Sequence, residues 1–389
     1  MVRQFAPQAV NRSSLGDAED SETECAYEIG VPLGLLAELT HRCPLHCAYC
    51  SNPLRLLKAA DELPTEVWLD AFSQAADMGV LQAHLSGGEP TLRADLEDMV
   101  AHLARRGVYS NLITAGVTLT RDRIFALRDL GLDHLKLSFQ GMREDVSFKV
   151  GRYEGGYAKK LAVAGWARQA GLPLTINAPI HRYNIDDTRR LLDFCVRLGA
   201  ERVEITHIQY YGWGFHNKAA LLPSYEKVIR EAGIVREAKE RLKGVLNIDY
   251  VTPDCYARYP KPCMGGWAWD ALTLTPDGSA LPCHAAGSIE GMTFDRITER
   301  RLADIWVNGE AFNRFRGADW MIEPCASCER KLLDFGGCRC QAMAITGDAR
   351  NADPACSLSP HHESLWEMAE KAAASEPPEM HYRRIGEFV

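Results

Sequence analysis

From Leu33 onward the chain alternates between two hydrophobic patterns. Short runs with apolar residues at every second position predict strands, and longer runs with apolar residues three and four apart predict amphipathic helices. Strands are expected at 35–39 (LLAEL), 82–86 (QAHLS), 109–114 (YSNLIT), 134–139 (HLKLSF), 174–177 (LTIN) and 202–208 (RVEITHI). Between them, "TEVWLDAFSQAADMG", "ADLEDMVAHLARRG" and "DDTRRLLDFCVRLG" read as helices, each closed by the glycine that commonly ends one. Six such units predict an α/β fold with parallel pairing, right-handed crossovers and helices on the outer face of the sheet. Periodicity alone leaves an open doubly wound sheet and an incomplete barrel as alternatives. In both, the chemistry lies at the C-terminal ends of the strands.

Around this core the pattern changes twice. Residues 1–30 are polar, net acidic and aperiodic, as in a flexible N-terminal extension, and Cys25 within it reads as a bystander. The β/α region is assigned to 31–222, although its rhythm breaks after Gly212. "PSYEKVIREAGIVREAKERLKG" (223–244) predicts one amphipathic helix inside a linking helix and strand, 223–250. The remainder, 251–389, is cysteine-rich, and "ALTLTPDGSALPC" has the alternation and Pro-Asp-Gly turn of a hairpin. Its scarcity of long apolar runs predicts a second domain held together largely by metal ligation.

Composition narrows the function. With 389 residues and 46% apolar content, the chain is long enough to bury a large core. It has no apolar run of about 18 residues and no basic-then-apolar N-terminal layout, so a soluble cytoplasmic protein without a membrane partner is expected. In a reducing compartment thirteen cysteines read as metal ligands or catalytic groups before disulfides. The net charge of −8, with no basic stripe, argues against a nucleic-acid partner.

Three cysteines, Cys43, Cys47 and Cys50, follow the first strand in "ELTHRCPLHCAYCSNP". Three thiolates can hold three irons of a four-iron cubane and leave the fourth open to a small molecule. Tyr49 would pack beside whatever sits there. The alternative is a zinc site completed by a distant ligand, with His41 or His46 nearest. The second strand leads into "LSGGEPTLR", where Gly87 and Gly88 would let the backbone approach a ligand and Glu89 offers an acceptor for an ammonium group. The same residues could also form an ordinary turn.

Together, CxxxCxxC after the first strand and GGEP after the second resemble the radical S-adenosylmethionine (SAM) superfamily. That resemblance implies a partial (β/α)6 barrel and a [4Fe-4S] radical SAM cluster on Cys43, Cys47 and Cys50. SAM would chelate the open iron, and its reductive cleavage would give a 5'-deoxyadenosyl radical. Polar residues near the predicted strand ends, Thr114, Ser138, Gln140, Asn177, His207, Tyr210, Tyr211 and Trp213, would line the barrel mouth. Thr114, Ser138 and Asn177 join Gly87, Gly88 and Glu89 as candidate cofactor contacts. At each of these positions a helix cap or turn residue is the competing reading.

The later cysteines could build zinc sites with one ligand missing. Their arrangement also resembles the SPASM extension of radical SAM peptide-modifying enzymes, which carries two auxiliary iron-sulfur clusters. That family's CxxCx5Cx3C pattern is met by Cys325, Cys328 and Cys338, but Asp334 stands where a cysteine is expected. By carry-over one cluster would use Cys325, Cys328, Asp334 and Cys356. The other would use Cys263, Cys283 and Cys338 with Cys340, Cys255 being the competing fourth ligand. Asp334 could instead be a surface carboxylate. Cys195, on an apolar helix face, is expected to be core packing.

Within this group, "HIQYYGWGFHNKAALLP", "KPCMGGW", "DFGGCRCQA" and "DPACSLSPHH" resemble the peptide cyclases of pyrroloquinoline quinone biosynthesis. That resemblance implies a radical SAM oxidoreductase that links glutamate and tyrosine side chains of a small precursor peptide by a carbon-carbon bond. A small peptide-carrier protein and a flavodoxin-type reductant would be its partners. Another peptide maturase of the same group and a non-catalytic metal-binding scaffold are the alternatives.

Overall fold

The computed structural model describes residues 29–209 and 211–384. The expected N-terminal extension with Cys25, except for Ile29 and Gly30, lies outside the described residues, as does Tyr210. Six strands fall where the alternation places them: β1 Gly34–Glu38, β2 Gln82–Ser86, β3 Tyr109–Thr114, β4 His134–Ser138, β5 Leu174–Ile180 and β6 Arg202–His207. The intervening helices are α1 Thr65–Asp77, α2 Leu96–Arg105, α3 Arg121–Asp129, α4 Glu144–Gly151, α5 Gly156–Gln169 and α6 Thr188–Leu198. The glycine ending α6, Gly199, takes the left-handed conformation (φ 66°) that releases the chain from the helix.

The period-two alternation has a specific orientation here. Leu35, Ala37, Ala83, Leu85, Leu135, Leu137, Ile176, Val203 and Ile205 are buried in one core with the apolar faces of the helices. On α1 that face is Trp68, Ala71, Phe72 and Ala75, and on α6 it is Leu191, Leu192, Phe194 and Cys195. The alternate residues, among them Glu38, Ser86, Lys136, Ser138 and Asn177, line a cavity on the other face. The outward face of these strands is thus apolar, and the cavity face mixes polar residues with Leu36 and Ile113.

The parallel sheet runs past the six expected units in both directions. Helix α7 (Tyr225–Arg241) feeds β7 (Asn247–Val251), which pairs with β6. At the opposite edge the predicted hairpin forms from β8 (Ala271–Leu274) and β9 (Ala280–Leu281), with β8 parallel to β1. The strand order is β7-β6-β5-β4-β3-β2-β1-β8-β9, and the barrel is open. Among the described residues no helix is long and apolar enough to cross a membrane.

One expectation is corrected here. The cysteine-rich region does have a hydrophobic core: Trp267, Leu272, Leu274, Leu281, Ile305, Trp306, Phe312 and Phe315 are buried in the same apolar cluster as the barrel strands. Its apolar residues come in runs too short to register as long periodic segments, and they are completed by residues from the barrel.

Helix α7 is fastened to the sheet by a buried carboxylate. Glu231 accepts hydrogen bonds from Thr188 Oγ1 at 2.7 Å, His207 Nε2 at 2.5 Å and Tyr250 Oη at 3.2 Å. Removing one member of such a network leaves buried polar partners unsatisfied, which costs about 3–5 kcal/mol. Glu231→Ala is therefore expected to lower unfolding stability by that order, read from the urea midpoint. A loss below about 1 kcal/mol would show that water replaces the carboxylate at little penalty.

Candidate functional site

The loop after β2 and the loop after β1 are joined backbone to backbone. Gly88 N donates to Thr40 O at 2.5 Å and Glu89 N to Arg42 O at 2.7 Å. A Cβ on Gly87, which has φ +124°, would lie 2.3 Å from Thr40 O; one on Gly88 would lie 2.3 Å from Arg42 O. The paired glycines are thus required first by the approach of the chain entering the cysteine loop, one residue before Cys43. Both also line the cavity.

Glu89 is held by the protein itself. Its side chain is fully buried and is not part of the cavity wall. Oε1 accepts from Thr91 N at 3.2 Å, Thr91 Oγ1 at 2.5 Å and Thr114 Oγ1 at 2.6 Å, while Oε2 accepts from Ala115 N at 2.8 Å. The carboxylate ties the β2 loop to the end of β3. Thr114 is drawn into the same network.

Cys43, Cys47 and Cys50 stand around one end of a cavity of about 750 Å³. Burial opposes ionisation of all three: it pushes Cys47 up to about 12 and raises Cys43 and Cys50 as well. Two buried cations act against this. Arg383 favours the thiolate at all three positions, and Lys160 does so at Cys47. Burial in turn lowers Lys160 to about 8, against the opposing pull of Cys47 and Cys43. Buried thiols flanked by cations suit a site completed by metal charge. Arg383 Nε is buried without a hydrogen-bond partner, a second sign that the site expects a further group. Among the described residues no three or more His, Cys, Asp or Glu side chains converge to hold a single ion. The three thiols around an open cavity have room for a multi-iron cluster.

Several predicted mouth residues line this cavity. Ser138 and Asn177 do so as a pair, Asn177 Nδ2 donating to Ser138 Oγ at 3.2 Å, and Gln140 and Tyr211 do so as well. Tyr49 lines it with its ring stacked on His181, centroids 6.1 Å apart. His207 reaches the wall but commits Nε2 to Glu231. Trp213 is corrected: it is fully buried behind the wall and donates Nε1 to Pro53 O at 3.2 Å. Three participants went unnoticed in the sequence. His284, beside Cys283, was signalled by that adjacency. Lys160 and Arg383 carry no local signal.

The C-terminal cysteines form two groups. Cys263, Cys283, Cys338 and Cys340 stand together, each thiol close enough to shift the ionisation of its neighbours. Cys255 belongs elsewhere, buried with Leu222, Leu365 and Ala369. The geometry therefore favours Cys340 as the fourth member. Cys325, Cys328, Asp334 and Cys356 line a separate small cavity. Asp334 is 6% exposed, which excludes a free surface carboxylate, and it pairs with Arg330 at 3.2 Å. Asp353 lies between the groups, accepting from Cys338 N at 2.6 Å, and burial lifts its carboxyl to about 7. A polar chain also joins the large cavity to the first group. Tyr211 Oη is 2.6 Å from His284 Nε2, and His284 directly follows Cys283, whose thiolate it favours.

Comparison with known proteins agrees with this layout. Residues 37–195 match the radical SAM superfamily and residues 263–329 an iron-sulfur cluster-binding domain, SPASM. The chain is 49% identical over 367 residues to a PqqA peptide cyclase of Bradyrhizobium diazoefficiens, covering 94% of this chain and 97% of that one. It is 53% identical over 345 residues to the PqqA peptide cyclase of Methylocella silvestris, covering 89% and 92%. Streptococcus suis SuiB bound to S-adenosylmethionine shares the fold, with a TM-score of 0.70 at 19% identity over 85% of this chain and 78% of that one.

The glycine seam yields a direct test. Gly88→Ala places a methyl group against two backbone carbonyls that cannot step aside, so the entry to the cysteine loop must shift. The variant is expected to melt at lower temperature and to take up less iron than wild type on anaerobic reconstitution. Wild-type melting and iron content would show that the seam yields freely.

Proposed function

The chain belongs to the PqqA peptide cyclases of the radical SAM superfamily, and on that premise we propose that it joins the γ-carbon of a glutamate to a ring carbon of a tyrosine in a small precursor peptide. The reaction belongs to pyrroloquinoline quinone biosynthesis. The observation that carries this reading is the single cavity, with three thiols at one end and a polar chain from its wall to the four-cysteine group.

In this proposal Cys43, Cys47 and Cys50 hold the [4Fe-4S] radical SAM cluster. Two auxiliary clusters rest on Cys263, Cys283, Cys338 and Cys340 and on Cys325, Cys328, Asp334 and Cys356. With SAM bound, these groups supply hydrogen abstraction from unactivated carbon and sites for the electron that carbon-carbon coupling releases. The protein's part is to orient and to exclude water. Gly87 and Gly88 set the cavity wall beside the thiols, with Glu89 fixing their loop from behind. Ser138 and Asn177 present hydroxyl and amide groups suited to a polar cofactor. Tyr211, held by His284, presents an aromatic face to a peptide side chain. The proposed division runs from a barrel at 31–222, through a link at 223–250, to the auxiliary-cluster region at 251–389. A small peptide-carrier protein would present the substrate, and a flavodoxin-type reductant would supply electrons.

Asp334 gives the ligand assignment a spectroscopic test. A carboxylate is a harder and poorer donor than a thiolate, so Asp334→Cys should change the electron paramagnetic resonance signal and potential of one auxiliary cluster while SAM cleavage persists. A spectrum identical to wild type would place Asp334 outside the ligand set.

The reaction is tested by mass. Anaerobic enzyme with SAM and reductant should convert the precursor peptide only when the carrier is present, to a product lacking two hydrogens that resists fragmentation between the glutamate and the tyrosine. Loss of two hydrogens with normal fragmentation there would overturn the crosslink and indicate side-chain dehydrogenation.

A further inference from the structure

The last described residues return across the molecule to the cysteine loop. Met380 is buried with Ala48, Val150, Ile208 and Leu221. Asn217 clasps the backbone of His381 from both sides, accepting from its N at 2.7 Å and donating to its O at 2.8 Å. The same Asn217 amide donates to Ala48 O at 2.7 Å, between Cys47 and Cys50. Tyr382 Oη donates to Lys149 O at 2.9 Å. This strap delivers Arg383 into the cavity wall, 2% exposed.

Arg383 then grips the cysteine loop. Its Nη2 donates to His41 O, and its own carbonyl accepts from His46 Nδ1 at 2.6 Å. The guanidinium also shares the cavity wall with Cys50 and favours its thiolate, while its Nε, buried, has no partner. A structural latch alone would need only the His41 contact. A permanently charged fork with a spare buried donor, in the wall of the cavity that three thiols also line, is built to meet an anion.

We propose that Arg383 is a positioning residue for the radical SAM cluster, donating to its thiolate edge at Cys50 and raising its reduction potential. The inference rests on the reading of Cys43, Cys47 and Cys50 as ligands of that cluster. One-electron reduction by the flavodoxin-type donor adds a negative charge to a buried centre. A fixed cation beside it stabilises the reduced form more than the oxidised one, and hydrogen bonds to cluster sulfur act in the same sense. The strap thereby links the C-terminal segment to electron acceptance at a loop more than 330 residues away in sequence.

The test uses full-length protein reconstituted anaerobically with iron and sulfide, as wild type, Arg383→Gln and Arg383→Lys. The radical SAM cluster is followed by the electron paramagnetic resonance signal that shifts on SAM addition, in a redox titration, with SAM affinity measured in parallel. Arg383→Gln should move the midpoint of that signal to more negative potential and leave the auxiliary signals in place; Arg383→Lys should lie between. Midpoints equal to wild type in both variants overturn the proposal. Unchanged midpoints with weakened SAM affinity assign the guanidinium to the SAM carboxylate instead, and unchanged midpoints with a lower melting temperature reduce it to a latch. If Arg383→Gln fails to hold the cluster, the Arg383→Lys midpoint decides by the same criterion. A wild-type protein with no SAM-sensitive signal would instead overturn the ligand reading on which the inference rests.

Discussion

The close contact of two backbones, Gly87–Gly88 against Thr40–Arg42, is the constraint on which the site depends. It fixes the path of the chain into Cys43, and therefore where the three thiols can stand. Both segments emerge from neighbouring parallel strands, so their separation is set by the sheet and their contact by the missing side chains. Glu89 closes the arrangement from behind by gathering donors from Thr91, Thr114 and Ala115. A buried carboxylate with four donors is stiff, and that stiffness is passed to the cavity wall.

Above this seam the site is a problem of buried charge. Cys43, Cys47 and Cys50 are held in surroundings that disfavour thiolates, and Lys160 and Arg383 are held in the same surroundings. Each set is unfavourable without an opposite charge nearby. The cations come from α5 and from the C-terminal segment, so the electrostatic balance of one loop draws on two distant parts of the chain.

Much of the fold was legible because the strands report themselves locally. Period-two alternation and the closing glycines placed β1 to β6 and the helices α1, α2 and α6 within a few residues, and spacing located the cysteine loop at a strand end. What escaped was non-local. Nothing near residue 271 announces that β8 will lie parallel to β1, and no periodic run reveals that Trp306 and Phe312 share the barrel's core. Glu89 was legible from its motif but its partners Thr91, Thr114 and Ala115 were not, because a motif gives the residue and its neighbours but not which way its carboxylate turns. Trp213 was misplaced for the same reason. Arg383 and Lys160 were invisible because a single cation in a polar or helical stretch looks like any solvated one.

The pairing of β8 with β1 has a mechanical consequence. Strands that share a ladder of backbone hydrogen bonds cannot hinge against each other, so β8, and with it the Cys283 that follows the β8–β9 hairpin, is held in register with β1 and the cysteine loop after it. The gap between the thiols of the first loop and Cys283 is then a built-in ruler laid down by the sheet, and a peptide lodged between them has that span to fit.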